Sequence, residues 1–276
     1  MNPITEADIR QFEDDGVVCL RGMFDQEWIS RMSVAVDRIM DAQNPLARPR
    51  EVTTALGGTT GRYHINSFVF RWDADFKDYV MESPNAEIAA RLMRADEVRV
   101  FYDQVFVKEP STKEVTDWHH DLPFWPMQGN QILSVWVALT DVGPENSALE
   151  YIAASHKWGK FYRAAIPDKD PSFKSELEEC PNFNEFRDNP DYRFLSWEMK
   201  AGDCIVHHPL TVHGAPGNFS PTRRRAAIST RYFGEDAKWD PRPATMKVTG
   251  DPQLPAGAHP ADDTFFPVAW RKSDGV

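Results

Sequence analysis

Three residues in this chain could hold a metal ion: His119 and Asp121 in "TDWHHDLPFWP", and His213 in "HHPLTVHGAPGN". Residues two apart on a strand point to the same side, so His119 and Asp121 can present two ligands from one strand end. Two imidazoles and a carboxylate on one face of iron(II) leave the opposite face open for co-substrate and oxygen. The His-x-acid pair alone carries little weight. With 8 His and 42 Asp and Glu among 276 residues, about one such pair arises by chance. His213 adds the third ligand, from the end of an apolar strand just before a Gly- and Pro-rich turn. His120 lies between the two ligands and must face the other way. His207 shares the parity of His213 but is separated from it by Pro209 and sits deeper, while His208 faces away. His64, His156 and His259 are isolated and read first as surface or structural histidines.

Eleven residues after His213 comes Arg224, in "SPTRRRAAISTRYFG". A planar guanidinium at the start of a neighbouring strand can grip a carboxylate with two parallel hydrogen bonds. Alternation puts Arg224, Ala226, Ile228 and Thr230 on one face, and Arg223 and Arg225 on the other.

The elements that must carry these residues fall into a helical and a β region. Residues 5–15 form a capped helix with Thr5 as N-cap. Residues 26–43 place Trp28, Ile29, Met32, Val36, Ile39 and Met40 at helical spacing, and 84–95 repeat the pattern behind Pro84. Residues 16–22 read as a short strand, and 44–62 as a mobile or ligand-covering loop. From about residue 97 the apolar period becomes two. "VRVFYDQVFVKEP", "ILSVWVALTDV", "ALEYIAAS", "DCIVHHPLTVHG" and "RRAAISTRYFG" read as strands with no helices alternating between them. That disfavours a parallel βαβ sheet and predicts a mainly β protein with peripheral helices, a sandwich or jelly roll. Residues 167–195 read as a long insertion and the tail after Asp240 as a wrapping loop. A single domain over 1–276 is expected, with a helical N-terminal region over 1–96, a core at about 97–235 and a tail over 236–276.

A net charge of −11 disfavours nucleic acid and anionic membranes as partners. The N-terminal sequence carries no apolar signal core and no run of 18 apolar residues occurs, so a cytoplasmic protein, monomer or homodimer, is expected. Cys19, Cys180 and Cys204 are few and scattered, which offers neither a disulfide framework nor a zinc site.

Taken together, "W-H-x-D", "LSVWVALTDVGPENSALEYIAASHKWG", "GDCIVHHPLTVHGAPGN" and "RRAA" resemble the phytanoyl-CoA dioxygenase-like family of Fe(II)/2-oxoglutarate oxygenases, over roughly residues 8–235. The N-terminal "F-x-x-D-G-V-V" and "YDQVFVKEP" extend the resemblance. It implies a double-stranded β-helix (jelly roll, cupin-like), with iron(II) on His119, Asp121 and His213 and the distal carboxylate of 2-oxoglutarate on Arg224. It also implies Gln104 and Trp136 in the co-substrate pocket. Alternation agrees only for some positions: Tyr102, Gln104, Phe106 and Lys108 share one face opposite Val105 and Val107, and Trp136 lies opposite Val135 and Val137. The aliphatic faces should pack outward on helices. For Trp136, plain core packing fits the pattern equally well.

The resemblance implies that O2 and 2-oxoglutarate are consumed to hydroxylate a C–H of a small organic molecule, with release of succinate and CO2. Desaturation, epoxidation or demethylation is the alternative outcome. Related halogenases have a small residue where this chain has Asp121, which favours oxygen insertion here. Departures are His120, where many relatives have Gln, and Ala226, which removes an Arg-x-Ser pair. Candidate substrate contacts are His64 and Arg231 as polar anchors and Trp118, Phe124 and Trp125 as walls, although such aromatics also serve as core or rim packing. A cupin-like isomerase or hydrolase on the same ligands would have no use for the arginine. A non-catalytic jelly roll would not need all three ligands.

Overall fold

Thr5 begins the first helix, α1 (Glu6–Asp15): its hydroxyl accepts the Asp8 N–H at 3.2 Å while the Asp8 carboxylate accepts the Thr5 N–H at 2.8 Å. Gly16 closes it in the left-handed region, φ 74°, and the chain leaves directly into β1 (Val17–Leu20). Asp25 caps α2 (Gln26–Met40), whose Ile29, Met32, Ala35, Val36, Ile39 and Met40 are buried. Two further helices follow, α3 (Ala74–Glu82), capped by Asp73, and α4 (Asn85–Met93), which ends at Arg94 with φ 51°. The computed structural model describes all residues except 47–49, 57–58, 165–175, 249 and 274–276.

The remaining strands are β2 (Arg50–Leu56), β3 (Thr59–Ser67), β4 (Glu97–Lys108), β5 (Thr116–His119), β6 (Met127–Gln128), β7 (Ile132–Ala138), β8 (Glu150–Ile152), β9 (Phe194–Ser196), β10 (Cys204–His207), β11 (His213–Ala215), β12 (Arg225–Phe233), β13 (Lys238–Trp239) and β14 (Val268–Arg271). A large antiparallel sheet runs β1-β10-β7-β12-β4-β3-β2, with β14 added beside β4. A smaller one runs β5-β11-β8-β9, and β6 pairs β13. The large and small sheets pack face to face as a jelly roll, the double-stranded β-helix that the family resemblance implies.

Register decides which side chains enter the barrel. Ala227 lies opposite Ala138 and Phe106, Ser229 opposite Trp136 and Gln104, and Arg231 opposite Ser134 and Tyr102. Trp136, Ala138, Ile205 and Ala227 form the inner core with Tyr151 and Ala215 of the small sheet. The alternate residues Val105, Val107, Val135, Val137 and Ile228 face outward, in one cluster with the buried faces of α2, α3 and α4. Each such buried aliphatic side chain contributes about 1.5–3 kcal/mol. The aliphatic-out, mixed-in alternation is therefore what the sequence predicts.

Three differences stand out. Most of 44–62 is β-hairpin rather than loop: β3 pairs β4 from Tyr63↔Lys108 to Ser67↔Gln104 and extends the large sheet. Residues 47–49 and 57–58 of that segment lie outside the described residues. Thr- and Val-rich "EVTTAL" carries the strand signal, which the flanking Arg, Pro and Gly obscure. The helix α3 is additional, with Phe76, Tyr79 and Val80 forming its buried face. Residues 167–175 of the expected insertion are outside the described set, but its end contributes β9 to the small sheet. Among the described residues, no helix is long and apolar enough to cross a membrane.

Candidate active site

His119 and His213 are direct partners in the β5–β11 ladder, so both rings leave the small sheet on the same side, with centroids 4.2 Å apart. Asp121 follows where β5 ends in a tight turn, fixed by the Asp121 and Leu122 N–H groups donating to Pro209 O at 2.8 and 3.0 Å. One ligand atom from each of His119, Asp121 and His213 lies within 4.8 Å of the others. Both imidazoles are held from behind. Nδ1 of His119 donates to Asp117 O at 2.7 Å and Nδ1 of His213 to Thr211 O at 3.0 Å. A carbonyl only accepts, so Nδ1 carries the proton and each Nε2 lone pair is left for a metal.

Electrostatics suit a cation. Burial, with His119 and His207 nearby, pushes His213 well below the usual imidazole range, so it is neutral as a ligand must be. Burial alone would raise the Asp121 carboxyl. The proximity of His119, His207, His213 and Arg231 outweighs it and keeps the group well below the usual carboxylate range. His207 stands behind the site: Nε2 lies 3.5 Å from Asp121 Oδ2 and Nδ1 is 3.1 Å from the Tyr151 hydroxyl. His120 points the other way, as alternation requires; its Nε2 accepts the Tyr162 N–H at 2.8 Å, and burial drops its pKa to about 4.

Further along the interior, Arg225 and Lys108 are register partners, 2% and 0% exposed. The Arg225 guanidinium lies 5.6 Å from the Trp136 ring centre and reaches Ser147 Oγ at 3.4 Å, and its Nε has no partner. Lys108 Nζ donates to Pro216 O at 2.8 Å and sits 4.8 Å from the Tyr63 ring centre. Burial lowers both pKa values, and for Lys108 the neighbouring Arg225 adds to it. Among the described residues neither cation has a carboxylate partner, which is the electrostatic signature of an anion pocket. Gln104 and Trp136 face the interior in the row between this pair and the metal ligands.

Several expected residues stand elsewhere. Arg224 leaves the barrel: it donates to Glu109 at 2.5–3.1 Å and to Asp37 of α2 at 2.5 Å. Its neighbour Arg225, in phase with Ala227 and Ser229, takes the inward position. His64 pairs with Val107 and so shares the outward, helix-covered face rather than the interior. Trp118 has the parity opposite to His119 and packs with Ile152, Tyr162, Phe183 and Val212 in a separate core. Trp125 is fully buried, its indole N–H donating to the Tyr102 hydroxyl at 2.9 Å, which makes it a rim support. Phe124 is half-buried beside it. Arg231 does enter the interior, 4% exposed, with its guanidinium 4.6 Å from the Tyr102 ring centre.

Residues 12–226 match the family model described as phytanoyl-CoA dioxygenase (PhyH). The chain belongs to the phytanoyl-CoA dioxygenase family. It is 25% identical to the multifunctional dioxygenase prhA of Penicillium brasilianum over 79% of this chain and 68% of that protein. It is 27% identical to a probable α-ketoglutarate-dependent hypophosphite dioxygenase of Stutzerimonas stutzeri over 59% of this chain and 54% of that one. In structure it is similar to the non-haem α-ketoglutarate-dependent epimerase SnoN from nogalamycin biosynthesis, with TM-score 0.70, 22% identity, and 96% and 98% of the two chains covered. This dioxygenase is thus an Fe(II)- and 2-oxoglutarate-dependent oxidoreductase.

The residues fit that cofactor set. Two imidazoles held through Nδ1 and one carboxylate converge as iron(II) requires, and Arg225 with its orphan Nε fits the far carboxylate of the co-substrate. Strand alternation by itself does not single out Arg225, His207 or Tyr151. Arg225 is hidden in a run of three arginines, where a shift of one residue reverses the face.

Proposed function

We propose that this dioxygenase hydroxylates an unactivated C–H of a small organic metabolite, with His119, Asp121 and His213 holding iron(II). Arg225, supported by Lys108, holds the distal carboxylate of 2-oxoglutarate, and Gln104 and Trp136 line its path. The observation that carries this reading is one barrel interior with a convergent His-Asp-His set and, along the same sheet face, two buried cations that form no ion pair with a carboxylate among the described residues. When bound, the iron couples O2 reduction to loss of CO2 from 2-oxoglutarate, which leaves as succinate, and to oxidation of the substrate C–H.

The protein's own contribution is orientation and dryness. The Asp117 and Thr211 carbonyls fix both imidazoles, His207 steadies the second Asp121 oxygen, and Trp136 and Tyr151 wall the co-substrate path. The carboxylate at Asp121 supports oxygen insertion over halide transfer. Desaturation, epoxidation and demethylation draw on the same site.

Anaerobic addition of iron(II) and 2-oxoglutarate should give a weak visible charge-transfer band. Asp121→Ala combined with His213→Ala should abolish it. Absence of the band in the wild type, or its survival in the double variant, sinks the proposal. Succinate release across a metabolite panel then identifies the substrate.

A further inference from the structure

Arg231 has an unmet need that the co-substrate does not answer. Its side chain is 4% exposed, yet the only hydrogen bond it makes among the described residues is Nη1 to Ser229 O at 3.0 Å, and its Nε has no partner. Its stem and guanidinium lie against Tyr102 and Phe106, with ring centres 4.6 and 5.8 Å from Cζ. No carboxylate of the described residues forms an ion pair with it. Asp103, on the outward face of the adjacent strand, is held instead by the Phe70 N–H at 3.1 and 3.2 Å. A guanidinium buried this way is costly unless an acceptor arrives.

Position separates Arg231 from the co-substrate pocket. Arg225 and Arg231 share the inward face of β12 six residues apart, a span of roughly 20 Å along a strand. 2-Oxoglutarate is far shorter than that. Arg231 stands in the row of Ser134 and His207, and its field reaches Asp121. Charge balance points the same way. A divalent metal would offset Asp121 and the co-substrate carboxylate beside it, and Arg225 with Lys108 would already more than offset the distal carboxylate. Arg231 is left over.

We propose that Arg231 anchors an anionic group of the substrate, so that the substrate is an organic oxyanion, a carboxylate or phosphonate gripped bidentately by the guanidinium. The inference rests on the oxygenase reading above and names the substrate class for the same site.

The test uses protein loaded anaerobically with iron(II) and 2-oxoglutarate. The probes are straight-chain and arylalkyl monocarboxylates, phosphonates of matching carbon length, and the corresponding primary amides. Binding beside the metal is read as a perturbation of the visible band, and independently as a rise in melting temperature. At least one anion series should act while its amides do not, and the active series tells carboxylate from phosphonate. Arg231→Met keeps the stem packing on Tyr102 and Phe106 but removes the charge. It should weaken anion binding by about tenfold or more, retain the band given by 2-oxoglutarate, and melt no lower than wild type, because an uncompensated buried charge is gone. Arg231→Lys should bind the same anions more weakly than wild type and better than Arg231→Met. Equal responses to amides, no response to any anion, or an unchanged response in Arg231→Met overturns the proposal. So does loss of the band in Arg231→Met, which would make Arg231 a member of the co-substrate site, or a lowered melting temperature, which would make it a structural counter-charge for Asp121. A wild type without any band means instead that the oxygenase reading has failed.

Discussion

His207 hydrogen-bonds the Tyr151 hydroxyl through one ring nitrogen, at 3.1 Å, and faces the Asp121 carboxylate with the other, at 3.5 Å. The chain Tyr151–His207–Asp121 runs from the wall of the barrel to the metal carboxylate and fixes which Asp121 oxygen is free. Groups that orient ligands in this way typically contribute 10–100-fold to metal affinity. His207→Phe should therefore weaken iron(II) binding by about that factor while leaving the fold intact. Chelator competition measures it, and Tyr151→Phe should give a smaller change in the same direction. An unaltered affinity in His207→Phe would show that the backbone around Pro209 positions Asp121 unaided.

The exchange of roles between Arg224 and Arg225 separates cleanly by mutation. Arg225→Gln removes the buried charge proposed to pair with the co-substrate carboxylate, an interaction worth about 2–5 kcal/mol, so the Kd for 2-oxoglutarate should rise at least about thirtyfold. Arg224→Gln breaks a partly exposed ion pair with Glu109 and Asp37, worth about 1 kcal/mol or less. It should lower the melting temperature slightly and leave 2-oxoglutarate binding unchanged. Titration of the visible band in both variants decides between them; the opposite pattern would restore Arg224 as the clamp.

Why the His119–Asp121–His213 cluster is legible in the sequence and the inward-facing arginine is not follows from how each is encoded. His119, Asp121 and His213 sit at strand ends bounded by Pro and Gly, so their phase is set locally and can be counted. The three arginines lie on the run into β12, where the first inward residue is fixed by pairing with Lys108 of a strand more than a hundred residues earlier. His64 misleads for the same reason: its strand lies among turn-forming residues, and only the β3–β4 register shows that it faces outward. Burial without a partner, the sign that marks Arg225 and Arg231, has no counterpart in a single sequence.

Asp103 gives the fold a pH dependence outside the site. It is fully buried on the outward face of β4, and burial raises its carboxyl from 3.8 to about 7 despite the Phe70 N–H. The folded state thus holds the proton more tightly than the unfolded chain. Its contribution to stability is fully present below about pH 4 and is lost as pH rises through about 7, a swing of up to about 4 kcal/mol. Asp103→Asn keeps an acceptor for Phe70 and removes the titration. The variant should be more stable than wild type at pH 8 and close to it at pH 4.5, measured by urea unfolding at the two values. A wild-type advantage at pH 8 would mean that the carboxylate is stabilised in the fold by neighbours such as Arg231.

Trp118 adjoins His119 in sequence, which makes it a candidate wall for the substrate, but strand alternation sends it to the far side of the small sheet. There its ring meets Phe183 and Phe194 at 5.8 and 5.9 Å, and the Arg187 guanidinium lies 5.8 Å from its centre. Truncating a buried Trp in such a cluster costs about 3–5 kcal/mol. Trp118→Leu, which retains some of the volume, should cost less than that and lower the melting temperature by several degrees. Because the side chain never enters the barrel, the variant should bind iron(II) and 2-oxoglutarate with wild-type affinity, and its response to substrate anions should be unchanged. A variant of undiminished stability that has lost its substrate response would instead place Trp118 in the pocket, and would require β5 to be turned over relative to His213.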